Sequence, residues 1–316
     1  MAQLTGTIPH RSIGSLSVSA VGLGGNQFGG RLDLDGTRAV VEAALDAGID
    51  FLDTADVYGN KGGSERLLGE VLAGRRDEVV LATKFGWDMA GANGEPAGAQ
   101  GSRAYIRQAV EASLKRLRTD VIDLYQYHRP DGVTPIEETL GALDELVREG
   151  VVREIGCSNF SAAQLEEAER VARERGYPRF VSLQNEYSLL EREIEADVVP
   201  LCERYGVAVL PYFPLARGLL TGKYHRGEPA PEGTRLHGRE QLADDATWDK
   251  IEALKRFAAG RGISMTDLAI AGLLARPIVA SVIAGATKPE QVRSNAAAVR
   301  WQPTDQDLAE FEAILR

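Results

Sequence analysis

Residues 121–160 read VIDLYQYHRPDGVTPIEETLGALDELVREGVVREIGCSNF. Residues 122–127 and 152–156 read as candidate strands carrying β-branched and aromatic residues. Between them, residues 135–149 space their apolar positions at helical intervals and stop at Gly150. Glycine is the residue that most readily takes the left-handed conformation just past a helix end. Most of the candidate strands along the chain are continuous apolar runs rather than alternating ones, the pattern of strands covered on both faces. The stretch reads as strand, helix, strand.

The rhythm extends in both directions. Further strands are expected at residues 20–23, 51–53, 79–83, 180–184, 207–210 and 282–284, with helices at 36–47, 103–117, 162–175 and 265–275. Ser161 and Ser264 stand where N-caps belong, and Gly48 ends a helix as Gly150 does. Eight strands with helices between them predict an α/β fold, a closed parallel (β/α)8 TIM barrel. An open doubly wound sheet is the rival, and its phosphate fingerprint is GxGxxG after the first strand. Gly22 and Gly24 begin that pattern, but Gln27 holds the third glycine position. Gly24, Gly25, Gly29 and Gly30 read instead as a tight loop. Residues 8–19 alternate after Gly14 and read as a hairpin closing the barrel floor. Residues 87–102 and 217–245 read as long loops, which in a compact domain are often functional.

The 316 residues, 44% of them hydrophobic, suit a single domain spanning 1–316. Net charge is −10 and no run of Lys and Arg occurs, which argues against a nucleic-acid partner. Cys157 and Cys202 are too few for a disulfide framework and sit in no CxxC motif, so a reduced, cytoplasmic setting is expected. The start, MAQLTGTIPHRSIG, lacks the apolar core of a signal peptide. No apolar run is long enough to span a membrane, and the sequon at Asn159 is read as a coincidence of letters.

In a parallel barrel, polar residues at the carboxyl ends of strands are the candidates for chemistry. Asp53 ends the second strand in FLDTADVYG, and Tyr58 follows in the loop. Lys84 ends the third strand in VVLATKFG, and His128 the fourth in DLYQYHRP. Ser158 and Asn159 follow the fifth strand, Gln184 and Asn185 end the sixth, and Tyr212 follows the seventh. Singly, each has a plainer reading: a turn aspartate, a solvated lysine, a packed histidine, a surface tyrosine. Their convergence on one mouth fits carbonyl reduction, which needs a hydride for carbon and a proton for oxygen. A tyrosine can give the proton, and a neighbouring ammonium lowers its pKa from about 10. Lys84 is placed to supply that charge, Asp53 to hold Lys84, and His128 to donate a hydrogen bond to the carbonyl oxygen.

At these residues the sequence resembles the aldo-keto reductase family, whose tetrad maps onto Asp53, Tyr58, Lys84 and His128. The strings DTADVYG, TKFG, YQYHRPD, GCSNF, LQNEYS and PYFPLARGLLTGKY carry the resemblance in order, from about Leu23 to Asn295. It implies an NADP(H)-dependent oxidoreductase acting on small aldehydes or ketones, or on alcohols in reverse. It assigns Ser158, Asn159 and Gln184 to the nicotinamide carboxamide and Tyr212 to the nicotinamide ring. Phe213, Pro214, Leu215, Ala216, Gly218 and Lys223 fall to the pyrophosphate region, with Arg235 reaching in from the long loop. Gly25 and Asn26 are expected beside the cofactor with Asp53. Gly285, Thr287, Lys288, Gln291 and Asn295 are matched to the adenosine end. Asn26, Phe28, Trp87 and Tyr127 are expected in the substrate pocket wall.

The chain departs from many family members at that adenosine end. Gly285-Ala286 replaces a common Lys-Ser, Gln291 a common Arg, and Ser294 a common Glu. An arginine reads phosphate through a bidentate fork and glutamine carries no charge. Branches that include the potassium-channel β-subunits also have Gln there and resemble NADP binders. NADPH is thus the expected cofactor, and NADH a second. One rival function is a regulatory, nicotinamide-binding subunit like those channel subunits. Another is a metal-dependent lyase, which would need clustered ligands. The four histidines form no HxH or HExxH motif, and no metal site is expected.

Overall fold

The computed structural model describes residues 8–316 apart from Pro96. Residues 1–7, half of the stretch read above against a signal peptide, lie outside the described residues. Two short strands, β1 (His10–Ile13) and β2 (Leu16–Ser19), pair antiparallel about the Gly14 turn. Eight parallel strands follow among the described residues: β3 (Val21–Gly24), β4 (Phe51–Asp53), β5 (Val80–Phe85), β6 (Ile122–Tyr127), β7 (Val152–Ser158), β8 (Ser182–Gln184), β9 (Ala208–Val209) and β10 (Val282–Gly285). Their order in the sheet is β10-β3-β4-β5-β6-β7-β8-β9. The Val209 amide donates to Ile278, the Ala280 amide to Val209, and the Ile283 amide to Pro211, so the last two strands meet and the sheet closes. This is the expected (β/α)8 barrel.

Among the described residues ten helices accompany the strands: α1 (Leu34–Asp46), α2 (Tyr58–Val71), α3 (Arg103–Leu117), α4 (Ile136–Arg148), α5 (Ala162–Arg175), α6 (Val198–Tyr205), α7 (Asp245–Gly260), α8 (Met265–Leu274), α9 (Pro289–Ala297) and α10 (Asp305–Leu315). Ser161 and Ser264 each close a capping box, and Gly150 takes a positive φ of 77°. No single helix among the described residues is long and apolar enough to cross a membrane.

The sequence reads a loop where α2 begins. Its first turn, Gly59 to Gly62, is left-handed, with φ between 58° and 99°, before ordinary helix resumes. The run GNKGG has no apolar periodicity, so pattern alone misses the element. Gly59 is required there: a Cβ would lie 2.3 Å from the Phe28 carbonyl oxygen, at a φ that L side chains avoid.

The hairpin sets which end of the barrel is open. Ile13, Leu16 and Val18 pack on the inward residues Phe51, Ala82, Leu124 and Leu210. The Ser19 amide donates to Asp50 at the amino end of β4. Each such apolar side chain contributes about 1.5–3 kcal/mol on burial. The floor is sealed, and the carboxyl ends of the strands are left to form a site.

Candidate active site

A cavity of about 1200 Å³ opens at that carboxyl end. Asp53, the last residue of β4, is buried at its base. The Lys84 Nζ, also fully buried, donates to Asp53 Oδ2 at 2.6 Å and to the Thr54 carbonyl at 2.8 Å. The other carboxylate oxygen, Oδ1, accepts from Gln184 Nε2 at 2.9 Å and Gln126 Nε2 at 3.1 Å. Both carboxylate oxygens are thus matched and the ammonium makes two bonds, as a buried pair requires. Gln126 has no place in the sequence reading. Its signal is a polar residue flanked by two tyrosines near the strand's carboxyl end, two positions before His128.

Tyr58 sits above this pair, with Lys84 Nζ 5.1 Å from its ring centroid. His128 meets the Tyr58 ring edge-on at 5.8 Å. Both rings line the cavity. The structure therefore brings Asp53, Tyr58, Lys84 and His128 together from four different segments.

The electrostatics correct one expectation. Burial raises the Tyr58 phenol above its usual value, and Asp53 and Asp56 add to the rise. Lys84 opposes it with the expected sign but does not win. For Lys84 burial favours the neutral amine, yet Asp53 and Tyr58 together hold its pKa above the ordinary one. His128 is pushed well below the usual histidine value, by burial first and then by Lys84 and Arg129. The site at neutral pH holds a protonated phenol, an ammonium and a neutral imidazole.

The residues around the tetrad are bonded to one another. Ser158 Oγ donates to the Gln184 carbonyl at 2.6 Å. Asn159, at a φ of 57°, donates through Nδ2 to the His128 carbonyl at 3.0 Å and accepts from the Tyr212 hydroxyl at 2.8 Å. The half-buried Tyr212 ring faces the cavity with Phe213, Pro214 and Leu215. Gly218, Lys223 and Arg235 continue the wall, with Arg235 4.3 Å above the Phe213 ring. At the far end lie Gly285, Thr287, Lys288, Gln291 and Asn295. Gln291 Oε1 accepts from the Thr287 amide at 2.7 Å and from its hydroxyl at 3.2 Å. Ala216 and Gly25 do not line the cavity, whereas Gly24 and Asn26 do.

Two expected pocket residues are elsewhere. Tyr127 is buried behind the wall, stacked on Phe85 with centroids 5.0 Å apart. It follows Gln126, which points inward, so strand alternation turns it out toward the helices. Phe28 lies in the core, folded under the turn that carries Gly59. Trp87 does form the wall: it is 38% exposed, edge-on to His128 at 5.9 Å, with the Arg129 guanidinium 4.6 Å over its ring. Arg129, which the sequence reading passes over, also lines the cavity.

The chain was compared with known proteins. A model of the aldo/keto reductase family matches residues 20–316. The chain is 37% identical over 300 residues to a probable voltage-gated potassium channel subunit beta from Oryza sativa subsp. japonica, covering 92% of this chain and 90% of that one. It is 34% identical over 309 residues to L-glyceraldehyde 3-phosphate reductase from Escherichia coli (strain K12), covering 93% and 88%. The solved structure of aldo-keto reductase AKR11C1 from Bacillus halodurans, in its holo form, is similar with a TM-score of 0.80 at 33% identity, covering 98% of this chain and 97% of that one.

Proposed function

The chain belongs to the aldo/keto reductase family, and we propose that it is an NADP(H)-dependent oxidoreductase reducing aldehydes or ketones to alcohols, or running the reverse, with Tyr58 as general acid. The observation that carries this reading is the buried Asp53–Lys84 pair beneath a phenol and a neutral imidazole that share one cavity wall.

The size of the cavity, about 1200 Å³, and the cations Arg217, Lys223 and Arg235 in its wall support a dinucleotide phosphate as the cofactor. Arg235 is depressed by burial and then by its neighbours Arg217, Arg31 and Arg239, so this cationic cluster gains from an anion. Arg217, Lys223 and Arg235 would hold the pyrophosphate, and Thr287, Lys288 and Gln291 the 2′-phosphate end. Tyr212, Ser158, Asn159 and Gln184 would hold the nicotinamide. When bound, the reduced nicotinamide supplies a hydride to the carbonyl carbon. NADH is the secondary cofactor of this reading.

This chain's own residues supply the rest. Tyr58 keeps its proton at Oη at neutral pH, the form that reduction needs, and gives it to the carbonyl oxygen. Lys84 stabilises the phenolate left behind, and Asp53 keeps Lys84 charged and aimed. The neutral His128 ring offers one N–H to the same oxygen and fixes the carbonyl plane. In the oxidation direction Tyr58 must first lose its proton, so that direction gains with rising pH.

A panel of aldehydes and ketones, followed by absorbance of the reduced nicotinamide with NADPH and with NADH, tests the reading. Turnover abolished in Tyr58→Phe supports it, and no turnover on any substrate refutes it. A regulatory, cofactor-binding subunit is the second reading, favoured by the identity with the probable channel β-subunit. Cofactor binding without turnover, together with co-purification of a channel, is its signature.

A further inference from the structure

Asp56 stands two residues before Tyr58, is fully buried and does not line the cavity. Its amide donates to the Lys84 carbonyl at 3.1 Å. Its Oδ2 accepts from Asn93 Nδ2 at 3.3 Å, and its Oδ1 is buried without a partner. Asn93 belongs to the 87–102 loop, and its own oxygen accepts from Arg116 of α3 at 2.8 Å. Arg116 Nε donates to Glu65 of α2 at 2.6 Å, and the other Glu65 oxygen accepts from the Thr83 hydroxyl of β5 at 2.6 Å.

The guanidinium is thus paired with Glu65, and Asp56 is linked to it only through Asn93. The other titratable groups facing Asp56 are the phenols Tyr58, Tyr105 of α3 and Tyr125 of β6, which are neutral with raised pKa. Lys84 is already committed to Asp53. Both Glu65 oxygens are matched and one Asp56 oxygen is not, so the proton that neutralises the cluster belongs on Asp56. In agreement, burial and then Glu65 raise the Asp56 carboxyl to about 8.

The loop that Asn93 anchors begins at Trp87, which packs against His128. Side chains of α3 hold it on either side of Asn93: Tyr105 Oη donates to the Trp87 carbonyl at 2.6 Å, and Gln108 to the Glu95 carbonyl at 2.8 Å. Strands and helices around Asp56 are tied by backbone ladders, whereas this loop is tied by a few side-chain bonds. When Asp56 ionises, a second buried negative charge joins Glu65; the bond from Asn93 strengthens but does not offset the burial, and the least costly relief is to open the loop at Asn93 and let water in.

We propose that Asp56 is a positioning residue: neutral, it clasps Asn93 and holds the 87–102 loop, with Trp87, against the carbonyl site, and loss of its proton loosens that loop. The kinetic half of this inference rests on the reductase reading; the structural half does not.

The test is hydrogen exchange of peptides covering the loop, corrected for intrinsic rates, from about pH 6 to about pH 9.5. It is run on the wild type, Asp56→Asn and Asn93→Ala. Loop protection should fall as pH rises to about 8 and level off above it in the wild type, stay high throughout in Asp56→Asn, and be low throughout in Asn93→Ala. In parallel, the wild-type KM for 4-nitrobenzaldehyde should rise several-fold over the same range while NADPH affinity stays flat, and Asp56→Asn should abolish the rise. Loop protection that ignores pH in the wild type, or that falls equally in Asp56→Asn, overturns the clasp. A pH-dependent loop without aldehyde turnover supports the clasp and removes only the reductase reading.

Discussion

Lys84, fully buried, donates at 2.6 Å to Asp53, which is nearly so. Removing one partner of such a pair leaves a buried charge unmatched, at about 3–5 kcal/mol. Lys84→Met should therefore lower thermal stability, and Asp53→Asn combined with Lys84→Met should recover much of it. Neither variant should recover turnover, because the phenolate of Tyr58 has lost its counter-charge. Melting curves and rates on the two variants separate the structural role of the pair from the chemical one. Equal stability of both variants would mean that the pair is not strongly coupled.

Tyr58→Phe removes one hydroxyl and keeps the ring against His128 and Lys84. Turnover should fall by about 10²–10⁴, the usual contribution of a general acid, while the dissociation constant for NADPH stays nearly unchanged. Single-turnover rates with wild-type values would assign the proton to another group.

Asp56 gives a pH dependence of stability whose sign follows from burial. Its pKa rises from 3.8 to about 8 on folding. Between those values the folded chain holds a proton that the unfolded chain releases, so stability from this residue falls as pH rises from about 4 to about 8. Asparagine carries no such proton. Asp56→Asn should be more stable than the wild type by a margin that grows across this window, about 4 kcal/mol at most at pH 7, read from melting curves at a series of pH values. A margin that is flat with pH would show that Asp56 is ionised in the folded protein.

Gln291→Arg should strengthen NADPH binding more than NADH binding, because only NADPH carries the 2′-phosphate. A charge-assisted hydrogen bond is worth about 1.5–3 kcal/mol. The substitution also removes the bonds from Thr287 to Gln291 Oε1, a loss that both cofactors share. The difference between the two dissociation constants, read by tryptophan quenching, is the measurement. Equal changes would place Gln291 away from the phosphate.

The barrel was legible in the sequence because its signals are local. Continuous apolar runs, serine caps and terminal glycines each act over a few residues, and they mark the alternation of strand and helix whatever the chain does elsewhere. The ends of β4, β5 and β6 were legible for the same reason, and with them the positions of Asp53, Lys84 and His128. Tertiary structure decided what those residues meet. Gln126 and Gln184 converge on one Asp53 oxygen across long separations in sequence, a coincidence that no window of sequence contains. Tyr127 and Phe28 carry pocket-like side chains, but strand alternation turns the first into the helical layer and a left-handed turn folds over the second. The direction of the Tyr58 shift was likewise a tertiary matter: the sequence places an ammonium nearby, while burial, which depends on everything packed around the phenol, outweighs it. Asp56 looked like one more loop residue of DTADVYG, and only the packing of α2, α3 and the 87–102 loop makes it a buried acid with an unmatched oxygen.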